Sequence, residues 1–313
     1  MKKIQDYIDQ QQFDDIDLSV LPHIAIEYKE NNLHNKAHMV LEKNGVYEGC
    51  SELATVLWKD AKKRYDKGER SFEIRYKRED LKKLKNLFFS ELVLDYEFNE
   101  EDDNGAEYED NDSVNKQTML FDEVIIDVYL ANCSDLRTIL MHELTHAWDN
   151  YNRLMKDNMS FYDKASSDFY GKIVDQMTSS EVEENIKRIL YFTLKEERDA
   201  FVAQLAGDLE NSKRKVKTPK DALQVLMKSK IYITYKLLLD TVNEYSAKDS
   251  EYKEMIARVY NDICETSLTP NKVMKKLQFL MNKSMKKINT IMGKLCVEHL
   301  DNVVTTAPTK TWL

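Results

Sequence analysis

Two neighbouring runs decide how this chain is read: Leu120-Phe121-Asp122-Glu123-Val124-Ile125-Ile126-Asp127-Val128-Tyr129-Leu130 and Leu136-Arg137-Thr138-Ile139-Leu140-Met141-His142-Glu143-Leu144-Thr145-His146-Ala147-Trp148. The first is rich in β-branched and aromatic residues, partly alternating, and predicts a strand. Ser134 or Asp135 then offers an N-cap. From there Leu136, Ile139, Leu140, Leu144, Ala147, Trp148 and Tyr151 repeat as an apolar stripe at helical spacing. His142 and His146 fall on the edge of that stripe, four residues and about one turn apart on one face. Two imidazoles so placed can hold one Zn²⁺, with ring nitrogens about 2.0–2.1 Å from the ion. Glu143 projects from an adjoining part of the helix, where it can reach a water on the metal without occupying the metal.

His142-Glu143-Leu144-Thr145-His146 resembles the H-E-x-x-H signature of zinc metallopeptidases. The resemblance implies zinc as cofactor, a peptide or protein as substrate, and Glu143 as general base and then proton donor to the leaving amine. In that chemistry the ion lowers the pKa of its water to about 7, and the carboxylate takes a proton as the water attacks a carbonyl. A third protein ligand is still needed beside the open position. The extended metzincin pattern H-E-x-x-H-x-x-G-x-x-H fails, because Asp149 stands at the glycine and Asn152 at the last histidine. Ser180-Glu181-Val182-Glu183 instead opens a helix with a capping box, running through Arg188 to Phe192 and on to Phe201. Its segment Glu197-Arg198-Asp199-Ala200 resembles the E-x-x-A string that carries the third ligand in gluzincins. Matching Ala200 puts that ligand at Glu197, with Glu196 as the fallback. Where many gluzincins place an aspartate four residues later, bonded to the first histidine, this chain has Phe201. Asp149, one turn beyond His146, is the remaining candidate to orient a ligand. His299 and Tyr191 are candidates for oxyanion stabilisation by chemistry alone.

Glu48-Gly49-Cys50-Ser51 resembles the E-G-C segment of peptide deformylases, which also use H-E-x-x-H. Thr145 stands where those enzymes have aspartate, and Cys50 lies 92 positions before His142, so a buried apolar cysteine is expected there. The four cysteines (Cys50, Cys133, Cys264, Cys296) form no C-x-x-C pair, which fits a reducing compartment. No apolar leader core follows Met1 and no run of 18 apolar residues occurs, so a cytoplasmic protein with no membrane partner is expected.

Charge is uneven. From Asn211 to Leu313 there are 19 Lys and Arg against 10 Asp and Glu, a net +9; the whole chain is −9, which leaves −18 on residues 1–210. Because the lysines are spread around helices among acids, mutual attraction of the two halves is the simpler reading, and nucleic acid is not expected as a partner. From Thr269-Pro270 onward Met274, Leu277, Met281, Ser284, Ile288, Ile291 and Leu295 recur at steps of three and four. That seam suits packing along residues 221–246 of the same chain, with homo-oligomer formation through the C-terminal helices as the other use.

With only 11 Gly and Pro in 313 residues, long helices dominate the expectation. Residues 50–66 and 79–89 read as helices, Phe72–Tyr76 and Leu92–Tyr96 as strands, and Asn99 to Asp112 as a solvated acidic loop within 99–116. An EF-hand alignment on Gly105 of that loop puts Glu100 first and Asn111 last, the wrong residues for calcium. The fold class expected is α+β, helix-dominated and zincin-like: an N-terminal α/β subdomain over 1–133 and a helical subdomain over 134–313 carrying both motif helices. The alternative to a peptidase is a zincin-like binding or structural protein with weak or no turnover, for example a virion or assembly component.

Overall fold

The computed structural model describes residues 49–84, 86–99, 105–109, 111, 113–157, 172–173, 180–212, 216 and 218–305, with the backbone alone at 156, 157, 196, 219 and 297–305. The first half alternates as its sequence does. Helix α1 (Cys50–Tyr65) precedes β1 (Ser71–Lys77), β2 (Phe89–Phe98), the short β3 (Ala106–Tyr108) and β4 (Phe121–Leu130), and α2 (Leu136–Asp157) follows. The sheet order is β1-β2-β4-β3; β1 and β3 are antiparallel to their neighbours, and β2 and β4 are parallel. Even-numbered residues such as Phe72, Leu94, Tyr96, Ile126 and Val128 turn inward and join the buried stripes of α1 and α2 in one apolar cluster. Apart from the buried Phe89 and Phe121 at the strand starts, odd-numbered residues such as Glu73, Asp95 and Asp127 turn outward, and the register brings Glu73 opposite Asp95, Asp95 opposite Asp127, and Asp127 opposite Glu107. Four carboxylates therefore lie in one row across all four strands.

The second half is helical: α3 (Glu181–Thr193), α4 (Lys195–Asn211), α5 (Pro219–Met227), α6 (Lys230–Ala247), α7 (Ser250–Cys264) and α8 (Pro270–Thr305). Of the capping box read at Ser180, the side-chain half is in place, Ser180 accepting the Glu183 N–H; a full capping box is closed by Thr218 with Asp221 over α5. All seven residues of the three-four seam on α8 are buried, in the face turned to α6 and its neighbours. The architecture is helix-dominated α+β. Among the described residues no helix is long and apolar enough to cross a membrane.

Three local expectations change. Residues 79–84 form turns instead of a helix, and Asn86 adopts a left-handed φ of 57°, which no helix interior tolerates. Leu81, Leu87 and Phe88 keep their burial as a loop packed under the sheet. The single helix expected through residues 181–201 breaks at Leu194 (φ −60°, ψ 145°), which ends α3 and starts α4 at a new angle. Within the acidic stretch, Ala106, Glu107 and Tyr108 form β3 by alternating with β4. Residues 100–104, 110 and 112 of that stretch lie outside the described residues. The buried residues of α2, from Leu136 to Leu154, belong to the apolar cluster of the sheet, whereas α3 and α5–α8 form a second cluster.

Candidate metal centre

Helix α2 lays its apolar stripe on the sheet, and this leaves its other side for α4. The two helices run antiparallel, with Arg137 beside Glu210 and Asn211, Thr138 and Met141 beside Gly207, and His142 beside Glu197. Gly207 makes the close approach possible, because a Cβ there would lie 2.8 Å from Thr138 Cγ2 and 2.9 Å from Met141 Sδ. The crossing is fastened by Arg137, which donates to Thr55 Oγ1 at 2.8 Å, Ser51 Oγ at 2.7 Å and Asn211 Oδ1 at 3.0 Å, and pairs with Glu210. Helices α1, α2 and α4 thus share one half-buried polar knot two turns behind the histidines.

At the other end of the crossing, His142, His146 and Glu197 form a group whose ligand atoms face one another. His142 Nε2 lies 3.0 Å from His146 Nε2, and Glu197 Oε2 lies 3.4 Å from the first and 3.5 Å from the second. Tetrahedral ligands about 2.0–2.1 Å from zinc sit about 3.3–3.4 Å apart, and a triangle with the observed sides has a circumradius of about 1.9 Å. Two imidazoles and a carboxylate at this spacing could hold one ion, and the donor set fits zinc. Burial agrees: His142, His146 and Glu197 are 4%, 9% and 0% exposed. A carboxylate taken wholly out of water needs a counter-charge.

The electrostatics follow from that burial. Burial alone would raise Glu197, but the charge of His146 and the two imidazole contacts hold it well below the usual carboxylate range. Its place as third residue of α4, at the positive end of the helix dipole, acts in the same direction. For His146, burial opposes the charged form and the Glu197 carboxylate outweighs it, so the imidazole rises to about 9. His142, dominated by burial, is pushed down. Burial raises Glu143 to about 8, against the pull of His146 and with the push of Glu197.

Glu143 stands beside the triangle, 6% exposed, with Oε2 accepting the Tyr108 backbone N–H at 3.1 Å. That N–H belongs to β3, the outermost strand of the sheet among the described residues. Gly105 O accepts from Tyr129 N and Glu109 N donates to Ile125 O, so the odd residues of this segment face β4 and Ala106 and Tyr108 turn their backbone groups away from it. Asn150, wholly buried one turn beyond His146, donates to the Tyr108 hydroxyl at 2.9 Å and to Asn111 O at 3.0 Å. Sequence reasoning passed over Asn150 and Tyr108. The available signal was the i, i+7 spacing of Glu143 and Asn150 on one helix face, but nothing local says which strand that face meets.

The other candidates are placed as follows. Asp149 bonds Arg153 at 3.1 Å and touches the site through its charge on His146, not through a hydrogen bond to a ligand. The side chains of Glu196 and His299 lie outside the described residues. The Tyr191 ring packs on Phe201, 6.1 Å between centroids. Phe201 itself packs on His142 at 5.0 Å, and the buried His142 Nδ1 has no hydrogen-bond partner among the described residues. Aromatic packing therefore orients this ring where the gluzincin pattern uses an aspartate. Cys50 is buried behind α2, its Sγ donating to Met141 O at 3.3 Å and its thiol pushed by burial up to about 12, which makes it a poor ligand. A cleft of about 520 Å³ at the end of β4, lined by Asp135, Thr138, Gln204, Asp208 and Lys230 among others, lies a turn or more from the donor triangle. Compared with known proteins, the chain matches no family model, no curated protein and no solved structure.

Proposed function

We propose that the protein is a zinc-dependent peptidase of zincin-like design, holding its metal on His142, His146 and Glu197 and using Glu143 as general base. The observation that carries this reading is the donor triangle: three buried atoms from two helices, 3.0–3.5 Å apart, with a second carboxylate, that of Glu143, at their side. Zinc bound there supplies Lewis acidity, polarising the scissile carbonyl and acidifying a water. Glu143 takes a proton from the attacking water and returns it to the departing amine, a role suited to a carboxyl that burial tunes towards neutrality. Tyr108 N–H fixes the Glu143 carboxylate, and the outward backbone groups of Ala106 offer an extended peptide a place to pair.

A second reading has one observation in its favour. All four residues are less than 10% exposed, as suits a zincin-like binding or assembly protein that holds metal without turnover. One experiment separates the two. Glu143→Gln should keep one zinc per chain and lose peptide hydrolysis by several orders of magnitude, whereas His146→Ala should lose the zinc. Zinc bound normally with no hydrolysis by the parent chain favours the second reading, and absence of zinc after its addition removes both.

A further inference from the structure

The outward face of the sheet carries its charge unevenly, and the imbalance ends at the metal centre. In the row Glu73–Asp95–Asp127–Glu107, side chains directly opposite one another share a face about 4.5–5.5 Å apart, where like charges repel. At the β1 end the repulsion is relieved: Arg75 pairs with Glu73 at 2.6 Å and reaches Glu123 at 3.2 Å. At the β3 end it is not. Asp95, Asp127, Glu107 and Glu109 have no cationic partner among the described residues, and the Asp127 carboxyl is raised by burial and then by the charges of Glu109 and Asp95. Glu107 is also close enough to act on Glu143 through its charge.

This uncompensated charge borders β3, the outermost strand among the described residues, whose Tyr108 N–H meets Glu143. A strand added along that edge would place the residue opposite Glu107 on the outer face, beside Glu107, Glu109 and Asp127. Its two neighbours would point inward, towards the histidines. Resting on the peptidase reading, we propose that the substrate is an extended segment with Lys or Arg within one residue of the bond that is cut. Its cation takes the place at the β3 end that Arg75 fills at the β1 end. Asp95, Glu107 and Glu109 are exposed and Asp127 is half-buried, so the discrimination is salt-sensitive.

The test uses the full chain loaded with zinc and two quenched-fluorescent peptides, identical except for Lys or Glu on either side of a common apolar core. The parent should cleave the Lys peptide with kcat/KM about tenfold or more above the Glu peptide at low salt, the gap closing as salt is raised. Glu107→Lys should reverse the order with zinc content unchanged. A second readout needs no turnover: Glu143→Gln protein should bind the labelled Lys peptide more tightly than the Glu peptide, by fluorescence anisotropy. Cleavage of both peptides at equal rates, or a preference untouched by Glu107→Lys, overturns the inference and leaves the peptidase reading standing. Selective binding of the Lys peptide with no cleavage supports the cationic partner and overturns the peptidase. Neither selective binding nor cleavage overturns both.

Discussion

Zinc uptake should release protons, and the structure says which ones. His146 at about 9 is protonated in about 99 of 100 chains near neutral pH, yet only the neutral imidazole can ligate. Metal must displace that proton, so on this account alone the apparent affinity near pH 7 should lie about 100-fold below its value above pH 9, rising about tenfold per pH unit for each proton released. Glu143 at about 8 is itself about nine-tenths protonated near pH 7 and should ionise when a dication arrives beside it. Glu197 is already ionised and His142 already neutral, so neither adds to the count. Calorimetric titration near pH 7 in two buffers of different ionisation enthalpy should therefore report one to two protons released per zinc. Glu143→Gln should remove close to one of them. Glu197→Gln should weaken zinc about 10-fold or more, and it should also lower the release, because His146 loses the counter-charge that keeps it protonated. An affinity flat from pH 7 to 9 with no proton released would refute this account of the site.

Gly207→Ala should destabilise the fold by about 1–2 kcal/mol in denaturant titration, the clash with Thr138 and Met141 outweighing the roughly 1 kcal/mol that alanine gains in a helix. A variant as stable as the parent would show that α2 and α4 have slack between them. Asn150→Ala should cost about 1–3 kcal/mol and speed amide exchange over residues 105–109 while the amides of β4 stay protected; unchanged exchange there would free β3 from dependence on Asn150. Burial, with Asp135 adding to it, holds the Asp208 carboxyl near 7 in the fold against 3.8 in the open chain. The folded state keeps a proton that the unfolded state releases, so stability should fall as pH rises from about 4 to about 7, by up to about 4 kcal/mol before solvent screening. Asp208→Asn should flatten that slope, and equal slopes in parent and variant would disprove it.

Legibility of the sequence tracked the range of each interaction. Helix α1, strands β1, β2 and β4 and the α2 start were readable because periodicity and caps act within a few residues. Glu197 was readable for a different reason, since only its match to a string of known spacing separated it from Glu196 in a charged helix. Residues 79–89 misled because Leu81, Leu84 and Phe88 repeat at helical intervals while serving a turn packed beneath the sheet. The break at Leu194 had no proline or glycine to announce it; tertiary packing of Phe192 against Phe201, 4.6 Å between centroids, sets it. The contacts from Glu143 and Asn150 to Tyr108 span 35 and 42 residues, a distance at which no local pattern carries information.

The two apolar clusters have one consequence for how the chain would respond to its metal. The histidines belong to a helix rooted in the sheet's cluster, and Glu197 to one whose Phe201, Val202, Leu205 and Leu209 are rooted in the other. An ion held by all three donors is a rivet through the seam between the clusters. Its binding free energy is then lost if either half melts, and chelation should turn one cooperative thermal transition into two. Zinc would in this way report on assembly: a ribosome-bound chain that has not yet emerged past Glu197 has two imidazoles and no site.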